Sequence, residues 1–297
     1  SCARRMGGAN RRLDFRTDVI VHTCEAPNEE EMIDLLSVEQ HVMDVCHDVG
    51  EFIRVESQNF DRSQILQKEG FNNLVSYVDK ESEKTLVSTL SKLIPGSGLL
   101  GEEGSAVPST NGYLWIIDPL DGTTNFTHGL PPFAISIGLT LNDKPVLGVV
   151  YEVTKKEMFH AVQGHPAYCN DQVIKASSIG TLNESLFATG FPYYDFPKMD
   201  AYLSIIRKFL RQSHGVRRLG SAATDLAYVA AGRFEGFFEY NLNPWDVAAG
   251  AFIVQQAGGL VTDFAGGSNF LYGREICAAG SVIHPTMQSL IAGEWGY

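Results

Sequence analysis

The chain has 297 residues, 44% hydrophobic and 20% charged, an ordinary globular balance that fits one large domain or two average ones and excludes wholesale disorder. Lys and Arg number 23 against 35 Asp and Glu, a net charge of −12 that argues against nucleic acid as a partner, since neutralising phosphates takes clustered cations. Five scattered cysteines without a C-x-x-C pair point to reduced thiols in a cytosol-like compartment, and no apolar run approaches the ~18 residues of a membrane span.

Residues 1–27 carry five arginines in their first seventeen positions and no apolar stretch, so they read as a disordered arm or an appended extension, with a basic organellar presequence as the alternative. From residue 33, Leu35, Val38, Val42, Val45, Val49 and Phe52 recur at helical spacing, and Asn28 with Glu31 resembles a capping box at the start. A second helix is expected from Asp79 to Ile94, with Asp79 at its start and Pro95-Gly96 at its end. Strands follow: Tyr113 to Ile117, then Phe133 to Leu141 with Val146 to Glu152 across Asn142-Asp143-Lys144, then Glu157 to Gln163 with Ala167 to Ile174. A strand from Ser185 to Thr189 precedes a helix from Lys198 to Gln212. A helix from Ser221 to Ala231, a strand from Phe234 to Tyr240, a helix from Val247 to Ala257 and a strand from Leu260 to Thr262 complete the pattern. Residues 28–180 thus form an α+β half built on an antiparallel sheet, and 181–297 an α/β half.

Gly96-Ser97-Gly98-Leu99-Leu100-Gly101 fits the dinucleotide fingerprint literally, but it follows a helix and a proline instead of a strand and is expected to be a loop. The stretch from Trp115 to Phe126, WIIDPLDGTTNF, is more informative. An apolar strand delivers Asp118, Pro119 breaks it, and Asp121 arrives three residues later beside Gly122-Thr123-Thr124. Two carboxylates next to consecutive backbone N–H groups suit a hard divalent cation shared with a phosphate. The competing reading is an Asp-Pro-x-Asp-Gly turn, made of residues that favour turns for mechanical reasons. Glu102-Glu103 supplies more acid upstream. Asp246 opens a helix where capping alone would account for it. Glu239 ends an aromatic strand, where a carboxylate is out of place unless it faces a polar cavity.

Together the segments GEEG (101–104), WIIDPLDGTTNF (115–126) and PWDVAAGAFIVQQAGG (244–259) resemble the inositol monophosphatase family of magnesium-dependent, lithium-sensitive phosphatases, over residues 33–297. The resemblance implies a layered αβαβα sandwich. It also implies metal ligation by Glu102, Asp118, Asp121, Asp246 and the carbonyl of Leu120, with two or three Mg²⁺ ions per site. Glu102 and Thr123 would orient the attacking water, with Asp79 behind Thr123 and Lys68 nearby. Gly122 and Thr123 would hold the phosphate, Gly220, Ser221 and Ala222 would line the substrate pocket, and Glu239 would accept hydrogen bonds from polyol hydroxyls. The implied reaction is direct hydrolysis of a small phosphate ester, inositol 1-phosphate first. Fructose 1,6-bisphosphate, histidinol phosphate and nucleotide 3′-phosphates are the alternatives, and a non-catalytic interaction protein is the remote one. A homodimer in the cytoplasm completes the expectation.

Overall fold

A computed structural model describes residues 33–61, 63, 66–67, 74–193 and 196–297. The first helix, α1 (Leu35–Asn59), opens at Asp34, whose carboxylate accepts from the N–H of Leu36 and Ser37. The expected Asn28–Glu31 capping pair and the arm 1–27 lie outside the described residues. Val38, Val42, Val45 and Val49 of the predicted stripe are buried, joined by Cys46 and Ile53, while Leu35 and Phe52 are only half-buried. Two short strands, β1 (Leu66–Gln67) and β2 (Leu74–Val75), pair antiparallel before α2 (Tyr77–Leu93). Asp79 does not start α2. Ser76 is its N-cap, and Asp79 is the third helical residue, its Oδ2 accepting from Ser76 N (2.8 Å) and Ser76 Oγ (2.6 Å).

The strands β3 (Gly98–Gly101), β4 (Ala106–Val107) and β5 (Tyr113–Asp121) come next, then a short helix α3 (Thr123–His128). They are followed by β6 (Ala134–Leu141), β7 (Lys144–Glu152), β8 (Glu157–Val162), β9 (Tyr168–Cys169) and β10 (Gln172–Val173). Their order in one eight-stranded sheet is β10-β9-β8-β7-β6-β5-β3-β4, antiparallel throughout except for the parallel pair β3–β5. Two expectations are corrected here. The Gly98–Gly101 stretch is a strand, because its backbone pairs on one side with Leu114 to Ile117 and on the other with β4. Pro119 does not end β5 either. The strand continues to Asp121 with a register shift between Asp118 and Asp121, an irregularity that needs no N–H from the proline. The hairpin between β6 and β7 turns on Asn142 and Asp143, both at positive φ (49° and 63°), as a tight two-residue connection requires.

The second sheet contains β11 (Phe187–Thr189), β12 (Val216–Arg217), β13 (Gly236–Tyr240), β14 (Gly259–Thr262) and β15 (Glu275–Gly280), in the order β12-β11-β13-β15-β14. Between them run α4 (Met199–Gln212), α5 (Ala222–Ala230) and α6 (Pro244–Gln256), and α7 (His284–Trp295) closes the chain. Neither β15 nor α7 was anticipated from the sequence. The layers follow from what touches what: α1 and α2 cover one face of the large sheet, and α5 and α6 the other. The far side of α5 and α6 packs on the small sheet, whose outer face carries α4 and α7, giving five layers in the order αβαβα. Both middle helices are apolar nearly all round, as helices buried on two sides must be. A Cβ on Gly148 of β7 would lie 2.7 Å from the carbonyl of Ala249, so this glycine lets α6 settle directly on the sheet.

Candidate active site

Three chain segments converge where the middle layer meets the end of β5. The turn after β3 brings Glu102, whose backbone N–H bonds the carbonyl of Ile117 (3.1 Å). That turn is fixed from below by Glu83 of α2, which accepts from the N–H of Glu103 (2.8 Å) and of Ser105 (3.0 Å). A Cβ at Gly101 would lie 2.5 Å from the Glu83 carboxylate, which explains the glycine. From β5 come Asp118, its Oδ1 accepting from Leu120 N (2.9 Å), and Asp121, its Oδ2 accepting from Ser221 Oγ and Ala223 N (both 2.7 Å). The first turn of α6 adds Asp246, held by the N–H of Asn243 (2.6 Å).

Carboxylate oxygens of Asp118, Asp121 and Asp246 lie within 4.8 Å of one another. Gathering three acids this closely disfavours their charge. Burial, reinforced by Glu102 and neighbouring aspartates, pushes Asp118 and Asp246 well above the usual carboxylate range. Asp121 reaches about 6, raised chiefly by burial while its bonds from Ser221 and Ala223 pull the other way. An all-oxygen set of carboxylates suits a hard divalent cation better than zinc or a softer metal.

Beside the cluster, the Thr123 hydroxyl lies 2.8 Å from Asp79 Oδ1 and 3.1 Å from the carbonyl of Leu120. Asp79 is buried, and that burial raises its carboxyl. Gly122 caps α3 at φ +95°, a left-handed conformation in tight quarters: a Cβ would lie 3.1 Å from the Pro132 carbonyl and 3.2 Å from that of Gly220. Asn125 ties this turn to the segment before α5, donating to the carbonyls of Leu219 and Pro132 (2.8 Å each).

The adjoining cavity, about 110 Å³, is bordered by Glu102, Asp121 and Asp246 at one end and by Gly220, Ser221, Ala222 and Glu239 at the other. Glu239 reaches about 8 because it is buried, with Arg218 opposing the rise. The structure therefore brings together Asp79, Glu102, Asp118, Leu120, Asp121, Gly122, Thr123, Gly220, Ser221, Ala222, Glu239 and Asp246. Lys68 lies outside the described residues. Sequence reasoning missed Glu83, Arg218 and Asp225, the last two of which also border the cavity. Asp225 could have been found as Glu239 was, since it is the one acid in the largely apolar run Ala222–Ala230.

Among the described residues no helix is long and apolar enough to cross a membrane. The model of the inositol monophosphatase family matches residues 34–295. The Nus factor SuhB of Pseudomonas aeruginosa is 41% identical over 227 residues, 75% of this chain and 83% of that protein. The crystal structure of the extragenic suppressor protein suhB from Bartonella henselae superposes with a TM-score of 0.81 at 36% identity, covering 86% of this chain and 98% of that one. Inositol monophosphatase from Anabaena superposes with a TM-score of 0.75 at 31% identity, covering 87% and 96%.

Proposed function

Because the chain belongs to the inositol monophosphatase family, we propose that it hydrolyses phosphate monoesters with bound Mg²⁺, and that inositol 1-phosphate is its substrate. The observation that carries this reading is the convergence of Asp118, Asp121 and Asp246 beside Glu102 and the Thr123–Asp79 pair. The donor set fits a hard cation, held by the three aspartates, Glu102 and the carbonyl of Leu120. When bound, such a cation supplies Lewis acidity, neutralising the phosphate dianion and making water a competent nucleophile at neutral pH.

The protein's own groups do the rest. The Thr123 hydroxyl donates a hydrogen bond to Asp79, which leaves its lone pairs available to a water. Glu102 is the base that takes a proton from that water. In this reading Asp246 lies near the leaving oxygen. The N–H groups of Gly122 and Thr123 position the phosphate, while Ser221 keeps Asp121 oriented (2.7 Å). Glu239 accepts hydrogen bonds from the hydroxyls of the leaving group, which favours a hydroxyl-rich alcohol. Inhibition by Li⁺, a homodimer and a cytoplasmic setting belong to the same reading.

The test is phosphate release from inositol 1-phosphate, fructose 1,6-bisphosphate, histidinol phosphate and adenosine 3′,5′-bisphosphate, each with Mg²⁺, with chelator and with Li⁺. Fastest Mg²⁺-dependent release from inositol 1-phosphate is the expected result. Another winner moves the substrate, and no release from any ester overturns the phosphatase reading. The name of the Pseudomonas relative favours a second role beside catalysis, as a Nus factor. A partner retained equally by the wild type and Asp118→Asn in a pull-down would support a role separate from the metal site.

A further inference from the structure

Helix α5 carries two polar side chains in an apolar run, Thr224 and Asp225. Thr224 is satisfied, its hydroxyl 2.7 Å from Ser221 Oγ. Asp225 is not. It is 1% exposed, and its buried Oδ1 has no hydrogen-bond partner among the described residues. Leaving such an atom unpaired in a packed core is costly, and native proteins keep few of them. Asp225 is also among the residues that border the cavity lined by Glu239, Arg218 and Ser221, so this buried side chain is part of the wall of the space a ligand would fill. Asp121, at the metal end of that cavity, already has its Oδ2 engaged by Ser221 and Ala223. Asp225 is therefore free for a role separate from the metal cluster.

We propose that Asp225 reads a hydroxyl of the leaving group: its unpartnered Oδ1 accepts a hydrogen bond from one hydroxyl of the bound alcohol while Glu239 takes another. The proposal rests on the phosphatase reading and narrows it to polyol monoesters with at least two hydroxyls beyond the ester oxygen. A carboxyl buried without a partner before binding gains its hydrogen bond only from an alcohol that brings the hydroxyl. An ester lacking that hydroxyl leaves the group unsatisfied, which is how hydrogen-bonding sites reject analogues strongly.

The experiment compares the Mg²⁺-loaded wild type with Asp225→Asn and Asp225→Ala on two esters. One is inositol 1-phosphate, and the other is p-nitrophenyl phosphate, whose leaving group has no second hydroxyl. For Asp225→Ala, kcat/KM on inositol 1-phosphate should fall about 10- to 100-fold. The loss should sit mainly in KM, while p-nitrophenyl phosphate changes less than about twofold. Asp225→Asn should recover part of the loss, since its amide oxygen still accepts, and it serves in place of the alanine variant if that one fails to fold. Equal losses on both esters would mean a structural role, or an alternative pairing of Asp225 with Arg218, and would overturn the proposal. So would no loss on either. A wild type that cleaves p-nitrophenyl phosphate but not inositol 1-phosphate overturns this proposal and leaves the phosphatase reading standing. Release from neither ester brings down both.

Discussion

Asp118 shows how far a single carboxylate can depart from solution behaviour. Buried beside Glu102, Asp121 and Asp246, it resists ionisation until a cation compensates the charge. Asp118→Asn should therefore lower kcat by at least about 10²-fold without lowering the melting temperature of the metal-free protein, and it should abolish the stabilisation that Mg²⁺ confers. Calorimetry with and without chelator checks both halves, and an undiminished Mg²⁺ effect would exclude Asp118 as a ligand. Asp121, at about 6, and Glu239, at about 8, add a pH dependence. Both are acids raised by folding. Their contribution to the stability of the metal-free fold is present below roughly pH 4, where unfolded carboxylates titrate, and is lost as pH rises through about 6 and then 8. A cation favours the ionised forms and releases their protons. The gain in melting temperature from Mg²⁺ should thus grow between pH 5 and pH 8, and equal gains at both would contradict it. Asp121 and Asp246 were singled out only through the family resemblance, their local context being equally consistent with a turn and a helix cap, whereas Asp225 was passed over because its neighbours made α5 read only as core.

Elements position these residues through their ends. Both α2 and α6 carry a site aspartate as the third residue of the helix, where it also accepts from the backbone N–H of the residue that caps it. The capping and functional readings weighed against each other from sequence are thus compatible, since one oxygen of Asp79 caps and the other meets Thr123. Glu83 acts at the same scale by holding the turn that presents Glu102. Glu83→Ala should destabilise the protein by about 1–3 kcal/mol by leaving two amides without an acceptor. It should also lower kcat about 10- to 100-fold through misplacement of Glu102. Unchanged kinetics in the variant would show that the turn holds without it. Periodicity announced α1, whose buried face is one-sided, and two apolar runs flanking Asn142-Asp143-Lys144 announced the β6–β7 hairpin, which is buried on both faces. Local pattern failed for β3, where glycines hide a strand defined by its neighbours, and for the extension of β5 past Pro119, where an irregular register accommodates a residue that local propensity reads as a break.

Over the whole molecule, the sheet order could not be read from local pattern. The strand β15 inserts between β13 and β14, and β3 joins β5 in parallel, pairings decided by long-range packing. The layered class was legible through the family resemblance and through the alternation of helix and strand after residue 181, and the nearly all-apolar surfaces of α5 and α6 are what burial between two sheets requires. The same burial has a kinetic consequence. Amides 248–254 are hydrogen-bonded within a helix between two sheets, so their protons can reach solvent only when those sheets part. Their hydrogen exchange should report the global unfolding free energy, while β9 and β10 at the sheet edge exchange through local fraying. With Asp246 fixed to the start of that slow helix, adding Mg²⁺ should retard exchange in α6 and leave the edge strands almost unchanged. Equal retardation of both would mean that the cation is gripped elsewhere.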